Sequence, residues 1–288
     1  MENKQLSVLA NAKLNLHLEV LNKREDGYHN LSSIFQSVTL SDKVTVAVRE
    51  GTGISVVTQN AVIAGENLAE RAAALFLKES GINTAIQISI DKRIPLAAGL
   101  AGGSADAAAV LTCLNWMTGF PFDQEQLALL GQKLGADVPF CLTGGTMLAE
   151  SIGERLSPAP ALPSLLVILI KQHQKESTGA MYQRLDARDT IAPPITEQIL
   201  SLLEQEDLPK AAPLLQNSFL AVSDDRAEQQ AICDRLRSAG ALAAGLSGAG
   251  PTVFGLFDFY DGDLIAGLKH DYHEVYLCET TGQAIEFE

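Results

Sequence analysis

The chain has 288 residues, of which 47% are hydrophobic and 19% are charged; this mixture is typical of a globular protein, and the length predicts about two domains of ~150 residues each. Acidic residues outnumber basic ones by 35 to 21, so the negative field of the molecule disfavours binding to nucleic acid or to an anionic membrane surface. The longest strongly apolar run, residues 165–170 with Leu162 just upstream, is shorter than the ~20 residues that a membrane-spanning helix requires.

Cysteine usage and the N-terminus indicate the cellular compartment. The four cysteines are scattered and form no C-x-x-C pair, and a chain of this length does not need disulfides to stabilise its core. Residues 1–9 lack the apolar core and the small-residue cleavage site of a signal peptide. We therefore expect reduced thiols and a cytoplasmic protein, whose oligomeric state the sequence leaves open.

The predicted elements begin with strands. Residues 13–20 alternate strictly between polar and apolar side chains, which is the period of two that marks a strand with one buried face. Alternating β-branched residues at 44–48 and 54–56 flank the turn-forming residues 51–53. This pattern predicts a hairpin.

A helix and a further strand are predicted next. Asn67 and Glu70 have the spacing of a capping box, and apolar residues at helical spacing follow until Gly81, so a helix is predicted there. Residues 86–90 alternate again and predict a half-buried strand. A loop of small residues follows, and the helical spacing over residues 104–117 predicts a second helix directly after it.

The middle of the sequence contains the predicted domain boundary. A short helix is predicted over residues 127–134, and an extended segment after residues 143–145. Three prolines between residues 155 and 165 interrupt regular structure, so we expect an N-terminal domain of residues 1–157 and a C-terminal domain of residues 158–288. The second half predicts an α+β layer, with strands near 165–170, 252–257 and 275–278, and helices near 178–184, 197–204, 224–239 and 261–269.

The loop between the predicted strand and helix has the composition of a phosphate cradle. Residues 95–107 read Pro-Leu-Ala-Ala-Gly-Leu-Ala-Gly-Gly-Ser-Ala-Asp-Ala. Glycines permit close approach of a ligand to the backbone, and the start of a helix offers unpaired N–H groups with a partial positive charge. The alternative is a tight turn whose glycines serve only packing. Neither a Walker A loop nor G-x-G-x-x-G occurs in the chain.

Three polar groups elsewhere are candidates for chemistry. Lys13 and Asn15 share the polar face of the first strand, where a lysine can approach a phosphoryl oxygen; the alternative is a solvated surface lysine. Asp137 is framed by small and apolar residues, which suits a general base; the alternative is an aspartate that caps a helix.

Two turns complete the set of candidates. The turn at residues 24–29 carries an aromatic ring, Tyr28, and an imidazole, His29, which together can stack on and hydrogen-bond a flat heterocycle; the alternative is an ordinary surface turn. Residues 246–254 form a second glycine-rich turn that leads into a predicted strand.

The order and sequence of these stretches resemble the GHMP kinase superfamily, from about residue 9 to about residue 256. The resemblance rests on residues 12–16, on the loop at 95–107, on Gly135-Ala136-Asp137-Val138-Pro139, and on Ser247-Gly248-Ala249-Gly250-Pro251. Lys13-x-Asn15 and Asp26-Gly27-Tyr28-His29 point further, to the branch that phosphorylates the 2-hydroxyl of 4-diphosphocytidyl-2-C-methyl-D-erythritol.

The resemblance implies a fold and a reaction. The fold is α+β, with a ribosomal-protein S5-like N-terminal domain, which binds ATP, and a ferredoxin-like C-terminal domain, with the substrates in the cleft between them. The reaction is transfer of the γ-phosphoryl group of ATP, with Mg²⁺, to the diphosphocytidyl substrate, which yields the 2-phosphate in non-mevalonate isoprenoid precursor biosynthesis. One general base, one cation and a loop of N–H donors are sufficient groups for phosphoryl transfer.

The resemblance also implies roles for individual residues. Asp137 takes the proton from the 2-hydroxyl, and Lys13 holds that hydroxyl and the γ-phosphoryl group. The implied ATP-binding residues are Asn67, Leu68, Lys92, Pro95, Leu96, Ala97, Ala98, Gly99, Leu100, Ala101, Gly102, Gly103, Ser104 and Ala105. The implied substrate-binding residues are Asn15, Tyr28, His29, Thr178 and Tyr182, with Tyr28 and Tyr182 stacking on the two faces of cytosine.

Two departures and three rival functions remain open. Asp106 stands where some members of the family have Asn, so the metal ligands are undetermined. Residues 171–175 lack the Pro-Gly that many relatives have there, which weakens the roles of Thr178 and Tyr182. The rivals are a superfamily kinase acting on homoserine, mevalonate or a sugar, a serine amidase or hydrolase using Ser104, and a nucleotide-binding module without catalysis.

Overall fold

The computed structural model describes residues 3–62, 65–172, 176–188, 193–259 and 262–288. The strands are β1 Lys4–Lys23, β2 His29–Arg49, β3 Gly53–Gln59, β4 Ala85–Asp91, β5 Thr146–Ser151, β6 Arg155–Pro158, β7 Leu166–Lys171, β8 Ala243–Leu246, β9 Thr252–Phe257, β10 Glu274–Thr281 and β11 Ile285–Phe287. The helices are α1 Leu68–Ser80, α2 Gly102–Met117, α3 Gln124–Leu134, α4 Val138–Thr143, α5 Thr178–Asp186, α6 Thr196–Glu204, α7 Leu208–Ala211, α8 Arg226–Ser238 and α9 Gly262–Asp271, with 3₁₀ turns at Ala212–Leu214 and Ser218–Ala221. No helix in these ranges has the length and apolar character needed to cross a bilayer.

The strands form one sheet that runs through both halves of the chain. Its order is β11-β1-β2-β10-β7-β9-β8, and β4 and β5 also pair with β2. The two long strands β1 and β2 are antiparallel neighbours, and strand β10 joins them to the second half because it pairs with both β2 and β7. The last strand, β11, returns to pair with β1. The polar face of β1 therefore lies where the two halves of the chain meet.

Two apolar clusters pack against this sheet. The larger one joins β1, β2 and β4 to α1 and α2, and its buried members include Leu14, Phe76 and Leu111. The smaller one joins β7 and β9 to α8, through residues such as Ile168 and Ile232. Burial of these side chains supplies the main favourable free energy of folding and makes the sheet a rigid platform for the polar groups on β1.

The strand at residues 13–20 and the helix after Asn67 are confirmed, although the polar face of the strand is buried as well as the apolar one. The predicted hairpin is wrong. Strand β3 pairs in parallel with β4, and β4 lies between β3 and β2. The reason is burial: Ile86, Ile88 and Ile90 of β4 are almost fully buried, whereas β3 alternates between exposed and half-buried residues. The more apolar strand takes the inner position, although it comes later in the chain. In α1 the Asn67 side chain accepts from the Ala69 amide at 2.9 Å, not from that of Glu70.

Candidate active site

The glycine loop is held against two other elements. Gly99 has φ +75°, and a Cβ atom there would lie 2.5 Å from the carbonyl oxygen of Ser247, so this position requires glycine. The Ser247 hydroxyl donates to the Gly99 carbonyl at 2.9 Å, and the Lys13 amide donates to the Leu100 carbonyl at 3.1 Å. The loop is therefore fixed between β1 and the second glycine-rich turn.

The loop opens directly into the N-terminus of α2. The residue before the helix, Ala101, has φ +55° and no side-chain cap, so the first-turn amides keep their partial positive charge for a ligand. A cavity of about 400 Å³ lies over this helix end. Its walls include residues 95–104, Leu68, Lys92, Lys13, Asn15 and Asp137. Of the other expected ATP-binding residues, Asn67 caps α1 and Ala105 is buried.

Lys13 and Asp137 meet at the edge of this cavity. The Lys13 Nζ atom lies 3.1 Å from Asp137 Oδ1 and 4.1 Å from the centre of the Phe35 ring. Asp137 is the residue before α4, but its side chain makes no capping hydrogen bond, so it does not serve as a helix cap. The lysine side chain is 6% exposed and the aspartate side chain 37%, which leaves the carboxylate open to a ligand while the cation stays fixed.

Asn15 fixes Lys13 from the other side. The Asn15 Oδ1 atom accepts from Lys13 Nζ at 2.9 Å, and Asn15 Nδ2 donates to the Ser33 hydroxyl at 2.9 Å. The backbone N–H of Asn15 also donates to the Ser247 hydroxyl at 3.2 Å. Because each of its groups has a partner, the asparagine has one orientation, and the lysine is aimed at Asp137.

Lys92 lies beneath the loop, in a buried ionic cluster. Its side chain is 3% exposed; it donates to Asp42 and, at 2.8 Å, to Asp106 Oδ2. Burial lowers the pKa of Lys92, but the two carboxylates outweigh it and the pKa is raised. Burial raises the pKa of Asp106 to about 8, against the opposing effect of Lys92. Asp42 also accepts from the amides of Arg93 and Ile94, so the cluster ties β2, β4 and α2 together at the base of the loop.

A second cavity, of about 540 Å³, adjoins the first. The Tyr28, His29, Thr178 and Tyr182 side chains line it, and Thr178 also lines the first cavity. The His29 and Tyr182 rings stack with centroids 4.5 Å apart and 13° between their planes, while Tyr28 is 62% exposed. All five expected substrate-binding residues thus lie on these two cavities, which meet beside Asp137.

Sequence reasoning missed two residues of the site. Ser33 on β2 holds Asn15, and Asp186 at the end of α5 bonds to His29 at 2.6 Å. The spacing of Asp186, four residues after Tyr182, is the one local signal for it, since residues four apart share a helix face. No local signal marks Ser33, because its partner lies 18 positions away.

A glycine loop that opens into an uncapped helix, with a lysine–carboxylate pair at its edge and a second cavity beside it, defines a small-molecule kinase. Family models agree with this class. The model described as GHMP kinases N terminal domain matches residues 67–145, and the model described as GHMP kinases C terminal matches residues 199–267.

Individual relatives identify a family within this class of kinases. The chain is similar to the 4-diphosphocytidyl-2-C-methyl-D-erythritol kinase of Gloeobacter violaceus, with 42% identity over 259 residues, 88% of this chain and 86% of the relative. It is 37% identical to the enzyme of the same name from Acetivibrio thermocellus over 280 residues, 96% and 99% of the two chains. The chain belongs to the 4-diphosphocytidyl-2-C-methyl-D-erythritol kinase family of GHMP kinases.

Solved structures agree in fold. A crystal structure of 4-(cytidine 5'-diphospho)-2C-methyl-D-erythritol kinase superposes with a TM-score of 0.82 at 32% identity, and the match covers 96% of this chain and 99% of that one. A homoserine kinase from Cytophaga hutchinsonii superposes with a TM-score of 0.74 at 20% identity, over 99% and 97%. At that identity the second likeness shows the fold alone.

Proposed function

We propose that this chain transfers the γ-phosphoryl group of ATP to the 2-hydroxyl of 4-diphosphocytidyl-2-C-methyl-D-erythritol, in non-mevalonate isoprenoid precursor biosynthesis. The observation that carries the proposal is the junction of the two cavities. Thr178 lines both of them, and Lys13 and Asp137 lie 3.1 Å apart on the wall of the first. A nucleotide in one cavity and an alcohol in the other therefore meet at a cation and a proton acceptor.

The glycine-loop cavity suits the triphosphate. The amides at the start of α2 and the backbone of residues 95–104 provide donors for phosphate oxygens, and Lys13 provides the cation closest to the reacting group. Fixed donors of this kind stabilise the charge that develops in the transition state without reorganisation. The buried Lys92 cluster supports the loop from below.

Asp137 is the proposed general base. Its carboxylate has no capping role and is more exposed than Lys13, so a substrate hydroxyl can reach it. Lys13, held by Asn15, stays close enough to contact both that hydroxyl and the incoming phosphoryl group. Positioning and charge neutralisation are the main requirements of phosphoryl transfer.

Mg²⁺ fits the oxygen chemistry of the first cavity. Mg²⁺ is bound by oxygen ligands and in kinases takes most of them from the substrate phosphates and water. Ser104, at the start of α2, lines the cavity and is the hydroxyl that would hold the ion together with the ATP phosphates. Asp106, whose role as a metal ligand the resemblance to the family left undetermined, is buried against Lys92. When bound, the ion neutralises phosphate charge.

The second cavity suits the cytidine end of the substrate. Tyr28 is exposed and free to close over a ring, and His29 and Tyr182 provide a polar edge and an aromatic wall.

We also propose a division into domains at residues 157 and 158, and the two family matches fall on either side of it. Location in the cytoplasm has the support of four buried, unpaired cysteines.

The test is an assay of ADP release with ATP, Mg²⁺ and the diphosphocytidyl substrate, beside homoserine and mevalonate, with the product identified by mass. We expect turnover with the diphosphocytidyl substrate alone. Turnover with homoserine or mevalonate and not with this substrate would overturn the proposal. The hydrolase alternative lacks a base, since in the described part of the chain no side chain hydrogen-bonds to the Ser104 hydroxyl.

A further inference from the structure

One helix, α5, holds His29 in two ways. Tyr182 stacks on the imidazole with ring centroids 4.5 Å apart, and Asp186, one helical turn later, contacts the imidazole Nε2 atom at 2.6 Å through Oδ1. Residues four apart lie on the same helix face, so the aromatic wall and the carboxylate reach the imidazole together. The His29 side chain is 7% exposed, and its position in the second cavity is therefore set from α5.

The other oxygen of the same carboxylate is held as well. Asp186 Oδ2 accepts from Lys23 Nζ at 2.6 Å, and Lys23 is paired with His29 across the β1–β2 ladder. Hydrogen bonds from Lys23 and from His29 lower the pKa of Asp186, so the carboxylate is ionised at neutral pH. Both of its oxygens are thus committed to the two residues at the base of the turn that carries Tyr28.

An ionised carboxylate accepts hydrogen bonds and cannot donate them. The His29 Nε2 atom must therefore carry a proton, and in the neutral ring Nδ1 is then an acceptor. No described residue hydrogen-bonds to Nδ1, so it is available to a ligand. Cytosine presents an exocyclic amino donor, whereas uracil presents a carbonyl acceptor in the same place.

We propose that Asp186 is a positioning residue that sets the base specificity of the second cavity, because it holds His29 as the Nε2–H tautomer and so presents Nδ1 as an acceptor for the cytosine amino group. The inference rests on the proposed function for the identity of the base. It extends that function by naming the residue that distinguishes a cytidine from a uridine diphosphate ligand.

The decisive variant is Asp186→Asn. An asparagine places its carbonyl oxygen on Lys23, which can only donate, and its NH₂ group then faces His29 Nε2. The imidazole must accept there, so the proton moves to Nδ1 and the acceptor becomes a donor. We expect the preference for cytidine diphosphate over uridine diphosphate to fall by about 5- to 150-fold, the range for one buried polar group that loses its partner.

The experiment has two readouts that do not depend on turnover. Calorimetric titrations of cytidine diphosphate and of uridine diphosphate onto wild type and variant give the preference, and ¹⁵N–¹H correlation of the imidazole at pH 8 gives the tautomer of His29, assigned with His29→Gln. The control is Asp271→Asn, since Asp271 also pairs with a histidine, His270, and with an arginine, Arg235, and lines neither cavity. This control is expected to bind both nucleotides as wild type does.

The outcomes separate the two proposals. A wild-type His29 that carries its proton on Nδ1 overturns the inference whether or not the variant folds, and so does an unchanged nucleotide preference in a folded Asp186→Asn protein. The double variant Lys23→Met/Asp186→Asn frees the asparagine carbonyl for His29 and is expected to restore part of the preference. Failure of the proposed function instead leaves the nucleotide preference in place without phosphorylation of the diphosphocytidyl substrate.

Discussion

The buried lysines Lys13 and Lys92 both pair with aspartates, but the aspartates differ in how exposed they are. Lys13 and Lys92 both have buried side chains, 6% and 3% exposed. The partner of Lys13, Asp137, is 37% exposed, whereas both partners of Lys92, Asp42 and Asp106, are buried. Because one carboxylate is open and the others are enclosed, a ligand can reach the first pair, whereas the second connects β2, β4 and α2.

The variant with the largest expected effect on activity is Asp137→Asn. The substitution keeps the shape of the side chain and removes the proton acceptor, so we expect kcat to fall by about 10²- to 10⁴-fold, with the Kd for ATP unchanged within about twofold. Steady-state kinetics and an ATP titration measure the two quantities. Near-normal turnover would mean that proton removal is not the task of this residue.

Removal of Lys92 from its enclosed cluster is expected to lower the free energy of unfolding. Lys92→Met removes the cation that the buried Asp42 and Asp106 side chains share, and breaking a buried ion pair costs about 3 to 5 kcal/mol of unfolding free energy. Denaturant unfolding of the variant beside Lys210→Met, whose lysine is exposed and paired with Asp207, measures the loss. An equal effect in the two variants would show that the enclosed cluster does not support the fold.

Lys13→Ala tests the contribution of the cation in the Lys13–Asp137 pair. The variant removes a positive charge from the transition state, so we expect kcat to fall by about 10²- to 10³-fold, with a smaller effect on substrate binding. A change limited to KM would contradict a role in the transition state. Its effect on unfolding is expected to stay below that of Lys92→Met, since Asp137 remains partly solvated.

The last prediction concerns the pH dependence of unfolding that Asp106 confers. Its pKa is raised from 3.8 to about 8 in the folded protein, so the native state binds this proton more tightly than the unfolded state does, and the associated stability is present below pH 4 and is lost as the pH rises to about 8. Asp106→Asn removes the titration and keeps an acceptor for Lys92. We expect the variant to gain stability relative to wild type as the pH rises from 5 to 9, measured by unfolding at both values; a difference that does not change with pH would be evidence against this titration.

Features of the fold and the site that have a local cause could be predicted from the amino-acid sequence. Strict alternation over residues 13–20 put Lys13 and Asn15 on one polar face, because a strand has a period of two. The glycines of the loop and the helical spacing after them predicted a helix N-terminus, because backbone freedom and helix dipoles depend on neighbouring residues. Those patterns, together with the motif at residues 26–29, were enough for the family.

The partners of the polar and charged groups, by contrast, could not be predicted from the sequence, because they depend on contacts between distant positions. Lys92 bonds to Asp42 across 50 positions and His29 to Asp186 across 157, and no periodic pattern specifies a contact between such distant positions. The hairpin prediction was wrong for the same reason, since the strand that separates β2 from β3 comes later in the chain. Local patterns set backbone conformation and the buried face, whereas pairing depends on competition among all apolar strands for the inner positions of the sheet.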